Sequence, residues 1–230
     1  MSVKAFFSEL PAKMGVFFRE LPGKTVKFFR ELPKKTLDSA VDLGHSFKEL
    51  PSNLKRSTAE LYNIRSLCGI SMLLAVAVAL NYTTSFYIMP TLKIGPGYLI
   101  TALLGMLYGP VAGGIAAGLG DIIKYLLKPD GVFFFGYTLN AILGGVIYGL
   151  FLYKAKVSVL RCTLAKLIIN LGVNAGLGTL WSSMLYGKAF AVILPARLVT
   201  NVVKVPFEVI VLLILMPMVI HALKRAKVKL

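Results

Sequence analysis

Arg197, Asn201 and Lys204 follow one another at spacings of four and three, which on a helix puts a guanidinium, an amide and an ammonium on one stripe just before Pro206. Such a stripe either closes into a structural bridge through Glu208, four residues beyond Lys204, or clamps an anion. In the second case Arg197 grips a carboxylate bidentately and Lys204 adds a point charge. Asn170 and Asn174 share a face of the preceding apolar segment, with Trp181 seven residues further along the same stripe. Buried amides need partners, so these two either tie helices together or, with Trp181, serve a flat heteroaromatic ring by edge hydrogen bonds and stacking. Asp121 and Lys124 lie one helical turn or less apart and either pair with each other or position a ligand loop. In KPDGVFFFGYTLN, Pro129, Asp130 and Gly131 force a turn that is followed at once by Phe133, Phe134, Phe135 and Tyr137. These aromatics are either a membrane-interface belt or a lid for a bound ring system. SFYIMPTLKIGPG, with Tyr87 and two prolines, offers a second loop of that kind.

Other chemistry is poorly provided for. Cys68, Cys162, His45 and His221 are scattered along the chain, which leaves a metal almost no ligands and reads the thiols as reduced and structural. No glycine-spaced GK[ST] exists to cradle ATP phosphates, so the energy for any active transport must enter from another polypeptide. Nucleophile elbow, metalloprotease helix and paired carboxylates are missing too, and a non-enzyme without cofactor is expected.

The elements that must position those side chains are hydrocarbon-soluble. Of 230 residues, 57% are hydrophobic and only 16% charged, a balance that belongs in lipid. Lys and Arg number 26 against 10 Asp and Glu, and seven of the ten acids precede residue 61. From Leu61 onward three acids face fifteen basic residues, so the cytoplasmic rim or the ligand should be anionic; a membrane rather than nucleic acid is the surface such charge serves. Six apolar stretches follow, and inside lipid helices are the only way to satisfy their backbones. They run from about Ser66 to Ile88, up to Gly109, from Val111, from Tyr137 to Tyr153, from Leu160 to Leu185 and from Val192 to His221, with Gly109-Pro110 as a sharp break.

Lys55, Arg56 and Arg65 precede the first span; Lys154, Lys156, Arg161 and Lys166 surround the turn between the fourth and fifth; Lys224, Arg225, Lys227 and Lys229 end the chain. Positive charge marks the cytoplasmic side, which gives six transmembrane helices with both termini inside. Glycines at four-residue spacing, namely Gly105 and Gly109, Gly114 and Gly118, Gly145 and Gly149, Gly172 and Gly176, predict close helix packing. Ala75, Ala77 and Ala79 put small residues on more than one face of the first helix, a surface on which an outside helix can dock.

Ahead of this body, residues 1–60 form a basic arm that repeats itself: FFSELP ends at Pro11, FFRELP at Pro22 and Pro33, and SFKELP at Pro51. Each Pro suits the first position of a short helix, and the arm is expected to be amphipathic and interfacial, or disordered. The expected organisation is therefore an all-α integral membrane protein, with the arm at 1–60, a six-helix substrate-binding domain at 61–224 and a basic tail at 225–230.

The strings LYGPVAGGIAAGLGDIIKYLL and VFFFGYTLNAILGGVIYGL with the RLVTNVVKVP stripe resemble the substrate-binding S components of energy-coupling factor vitamin transporters, in particular the folate family, over about Arg65 to His221. The repeated arm has no counterpart in the resemblance. It implies a subunit of the bacterial plasma membrane that captures folate from outside, joins a transmembrane coupling subunit and two cytoplasmic ATPases, and topples to release the vitamin. In that resemblance Ala75 and Ala79 contact the coupling subunit, Tyr87 to Gly97 and Lys128 to Tyr137 form the ligand loops, and Arg197 with Lys204 faces the glutamate tail. The charge excess independently favours an acidic ligand. Pantothenate, anionic but without a flat ring, leaves Trp181 and the phenylalanines less explained, and a lipid-modifying enzyme working through Asp121 and Arg197 is the alternative from another class.

Overall fold

The computed structural model describes residues 42–44, 46, 49–83, 86–89, 92–94, 97–129, 132–155, 157–187 and 189–225, while the first three FFxELP repeats lie outside them. Helix α1 (Leu50–Tyr62) opens with the fourth repeat, and Pro51 stands in its first turn, where a missing N–H costs nothing. Among the described residues, five helices then follow that are long and apolar enough to cross a membrane: α2 (Ile64–Thr83), α3 (Gly97–Leu127), α4 (Phe135–Leu152), α5 (Val159–Tyr186) and α6 (Phe190–Arg225).

The expected extent of the first span needs one correction. The segment expected to finish the first span instead leaves the helix after Thr83, and Phe86–Met89 (β1) pairs antiparallel with Leu92–Ile94 (β2), Tyr87 opposite Lys93. Its aromatic and β-branched residues favour extended backbone, and antiparallel pairing satisfies part of that backbone outside a helix.

Helix α3 is two helices joined at a break. Gly109 has φ 86° and ψ −177°, a conformation a side chain resists, and Pro110 follows. The halves double back on each other: a Cβ on Gly113 would lie 2.9 Å from the Gly105 Cα, whereas eight residues along a straight helix cover about 12 Å. Ser57 of α1, fully buried, holds the break together. Its Oγ donates to the Tyr108 carbonyl (2.8 Å) and accepts from the backbone N–H groups of Val111 (3.0 Å) and Ala112 (3.1 Å). One hydroxyl thus ends the first half and caps the second.

Glycines let α4 press against this hairpin, since a Cβ on Gly105 would meet the Gly149 backbone at 2.7 Å and one on Gly114 the Val146 side chain at 2.7 Å. Gly172 and Gly176 were expected to pack the same way and do not: nothing lies within 4 Å of a Cβ on Gly172. Residues 168–177 of α5 are instead wound as a π-helix, which re-aims side chains along the rest of α5. Helix α6 carries Pro195, Pro206 and Pro217, each of which removes a backbone donor.

Two basic residues expected at the cytoplasmic rim are inside the protein. Arg161 is 3% exposed and donates to the Phe151 carbonyl and the Ser46 hydroxyl, both at 3.0 Å. Lys166 is 1% exposed, 3.0 Å from Glu208 of α6, with its Nζ 3.8 Å from the centre of the Tyr98 ring. The carboxylate and the aromatic face offset the desolvation that excludes an unpaired lysine from a core.

Candidate functional site

Three helices bring polar side chains together at the end of the bundle where α4 and α6 begin and α5 ends. Helix α4 starts after Phe134, whose extended backbone (φ −137°, ψ 119°) turns the chain into the helix and leaves Tyr137, Thr138 and Asn140 on its first two turns. Helix α5 ends at Gly187, a left-handed residue (φ 64°) whose N–H bonds the Ser183 carbonyl at 3.0 Å. That placement sets Gly178, Trp181 and Ser182 on the last turns of α5. Helix α6 brings Arg197 and Asn201 about two and three turns after its start.

The hydrogen bonds link all three. Arg197 Nη2 donates to Ser182 Oγ at 2.6 Å, and the Tyr137 hydroxyl shares a bond with the same oxygen at 2.7 Å. The Trp181 indole donates to Asn140 Oδ1 at 3.0 Å, while the Asn140 amide nitrogen donates to the Val173 carbonyl of the π-helix at 3.3 Å. Asn201 donates back to the Arg197 carbonyl at 2.8 Å, which stiffens α6 just before Pro206. Phe134 lies 5.8 Å from Trp181 and 6.1 Å from Tyr137, ring centre to ring centre, so two aromatic faces flank the polar cluster. Among the described residues, Arg197 has no carboxylate partner.

Of the residues singled out from sequence, Arg197, Asn201, Trp181, Phe134 and Tyr137 thus meet here. Asn170 does not: it donates to Glu208 at 2.8 Å, beside Lys166, and Asn174 approaches it at 3.4 Å. Glu208 makes a 3.0 Å ion pair with Lys166 and also acts electrostatically on Lys204, which it was expected to offset in part and which is half-buried on α6 between the two clusters. Asp121 accepts from Thr138 Oγ1 at 3.0 Å, joining the second half of α3 to α4, and Lys124 is half-buried one turn on. Phe133 packs on Tyr125 at 5.0 Å and is exposed, as is Phe135, so the loop's three phenylalanines point different ways. The side chain of Tyr87 lies outside the described ones.

Ser182 and Asn140 escaped the sequence reading although they anchor the cluster. A signal existed for each: an indole N–H in lipid needs an acceptor, and a guanidinium on α6 needs one on the helix before it.

On another face, Ala75 and Ala79 are exposed along α2 and line a groove of about 840 Å³ with Ser71, Leu74, Val78, Ile123 and Leu127. Among the described residues no three of His, Cys, Asp and Glu group together as metal ligands would.

Comparison with known proteins places this arrangement. The model of the family "ECF transporter, substrate-specific component" matches residues 65–216. The folate transporter FolT of Clostridium novyi (strain NT) is 41% identical over 123 residues, 54% of this chain and 72% of the relative. That of Streptococcus mutans serotype c (strain ATCC 700610 / UA159) is 28% identical over 157 residues, 66% of this chain and 84% of the relative. A crystal structure of FolT bound with folic acid is similar with a TM-score of 0.61 and 34% identity, covering 66% of this chain and 93% of that one.

Proposed function

Since the chain belongs to the family of substrate-specific components of ECF transporters, we propose that it is the folate-binding membrane subunit of such a transporter. It is an integral membrane protein and a transport subunit, not an enzyme, which removes the lipid-modifying alternative. The observation that carries the choice of ligand is Arg197, a permanent cation fixed by Ser182 with no carboxylate of the described chain to neutralise it, beside the Trp181 and Phe134 rings. Folate supplies the complement: a flat heteroaromatic ring for the aromatic faces, an edge of donors and acceptors for Asn140 and Tyr137, and a glutamate tail for Arg197. Pantothenate supplies the anion without the ring.

The broken α3 supports a count of six membrane segments, its halves serving as the second and third. With six, both termini face the cytoplasm of a bacterial cell, the Ser57 end of the bundle lies inside, and the Trp181 end opens outward. Capture from outside then requires energy from elsewhere, namely a transmembrane coupling subunit docked on the Ala75–Ala79 face and two ATPases. Lys204, Asn174, Lys124, Asp121 and the Tyr87 loop complete the ligand's surroundings in this proposal.

Calorimetric titration of the purified full chain with folate, pantothenate and thiamine tests it. Folate should bind tightly, pantothenate weakly and cationic thiamine not at all. Pantothenate or thiamine binding in preference to folate would overturn the assignment.

A further inference from the structure

We infer that Ser182 is the residue that sets the site's preference for a ligand carboxylate, by fixing the direction in which Arg197 presents its guanidinium. The inference rests on the folate reading above.

Ser182 is 3% exposed, and its Oγ lies 2.6 Å from Arg197 Nη2 and 2.7 Å from the Tyr137 hydroxyl. A guanidinium has donors only, so Oγ accepts from it. Ser182 and Tyr137 then have two hydroxyl protons between them and use one in their mutual bond. Whichever way that bond runs, one proton is left over, and among the described residues neither hydroxyl meets a further acceptor. Gly178, one turn earlier on α5, clears the other side of the guanidinium: a Cβ there would lie 2.7 Å from Arg197 Nη1.

The corner therefore holds a permanent positive charge and one spare hydroxyl proton, with no carboxylate of the described residues to meet them. Such a corner suits a ligand carboxylate, and a group that has lost its charge gains much less there. Without Ser182 the arginine keeps its charge but loses its aim, and it must give up rotamer freedom when a ligand arrives. Ser182 thus acts on the ligand through Arg197 and is a positioning residue.

The test is a two-ligand titration of the wild-type full chain and the Ser182→Ala and Gly178→Ala variants, by calorimetry, with folate and with folate dimethyl ester. The ester keeps the rings and masks both carboxylates. Ser182→Ala should weaken folate binding about tenfold and leave the ester within about twofold, so the preference for free carboxylate shrinks. Gly178→Ala, which pushes Arg197 off Ser182 without removing the hydroxyl, should show the same selective loss. Equal weakening of both ligands, or unchanged folate affinity in both variants, would overturn the inference. A wild-type chain that binds neither ligand would sink the folate reading itself.

Discussion

The indole of Trp181 on α5 donates to the side-chain oxygen of Asn140 on α4 at 3.0 Å, and the Asn140 amide continues the chain to the Val173 carbonyl. The single tryptophan of the sequence is therefore held by a residue of the neighbouring helix α4, not by its own helix.

Removing that acceptor leaves a part-buried N–H unpaired and frees the ring to rotate. Asn140→Leu should weaken folate binding about tenfold, the scale of one unpaired donor, and shift Trp181 emission. Calorimetry and fluorescence on the same sample check both.

Arg197→Ala takes away the guanidinium of the polar cluster while leaving the rings. Folate affinity should fall by about 2–4 kcal/mol, the scale for one side of a desolvated charge pair. Equal affinity in wild type and variant, measured by calorimetry, would place Arg197 outside the site.

Lys166 and Glu208 lie 3.0 Å apart in the core, with Asn170 bonded to the same carboxylate. Either single change, Lys166→Met or Glu208→Leu, leaves an uncompensated buried charge and should destabilise the protein by about 3–5 kcal/mol. The double variant should recover most of the loss. Thermal unfolding in detergent reads the three against wild type.

Ser57→Ala removes the cap from the α3 break and leaves the Val111 and Ala112 donors facing a methyl group. A loss of about 1–2 kcal/mol is expected, with folate affinity little changed because the break lies at the far end of the bundle. Thermal unfolding with and without folate separates the two effects.

Ala75→Phe should fill the groove on α2 without touching the ligand cluster. Folate binding to the isolated chain should persist while uptake, in cells supplying the coupling subunit, is lost. Full uptake by the variant would remove that face from partner docking.

Much of the fold was legible because lipid allows few solutions. Long apolar runs had to be helices, and Gly109-Pro110 had to interrupt one. The hairpin after Thr83 was not legible, because Phe86 to Met89 is as apolar as the span it follows and hydropathy does not distinguish a strand from the end of a helix. Arg161 and Lys166 were misplaced for a related reason: a positive residue near a loop reads as rim, and its buried partners, the Phe151 carbonyl and Glu208, come from elsewhere in the chain. Within the candidate site, the Arg197–Asn201 stripe and the Trp181 face were visible as helical spacings. Asn170 could not be separated from them by spacing alone, since the π-helix changes which side chains of α5 share a face. Ser182 was hidden because a serine in an apolar helix usually bonds its own backbone.

The most direct measurement of a ring-and-carboxylate site at this end of the bundle is titration of the purified full chain with folate while following Trp181 fluorescence, which has no other tryptophan behind it. Saturable quenching at micromolar folate or below, lost in Arg197→Ala at the same concentrations, is the expected result. Folate binding that leaves Trp181 emission unchanged, or no saturable response at all, would contradict it.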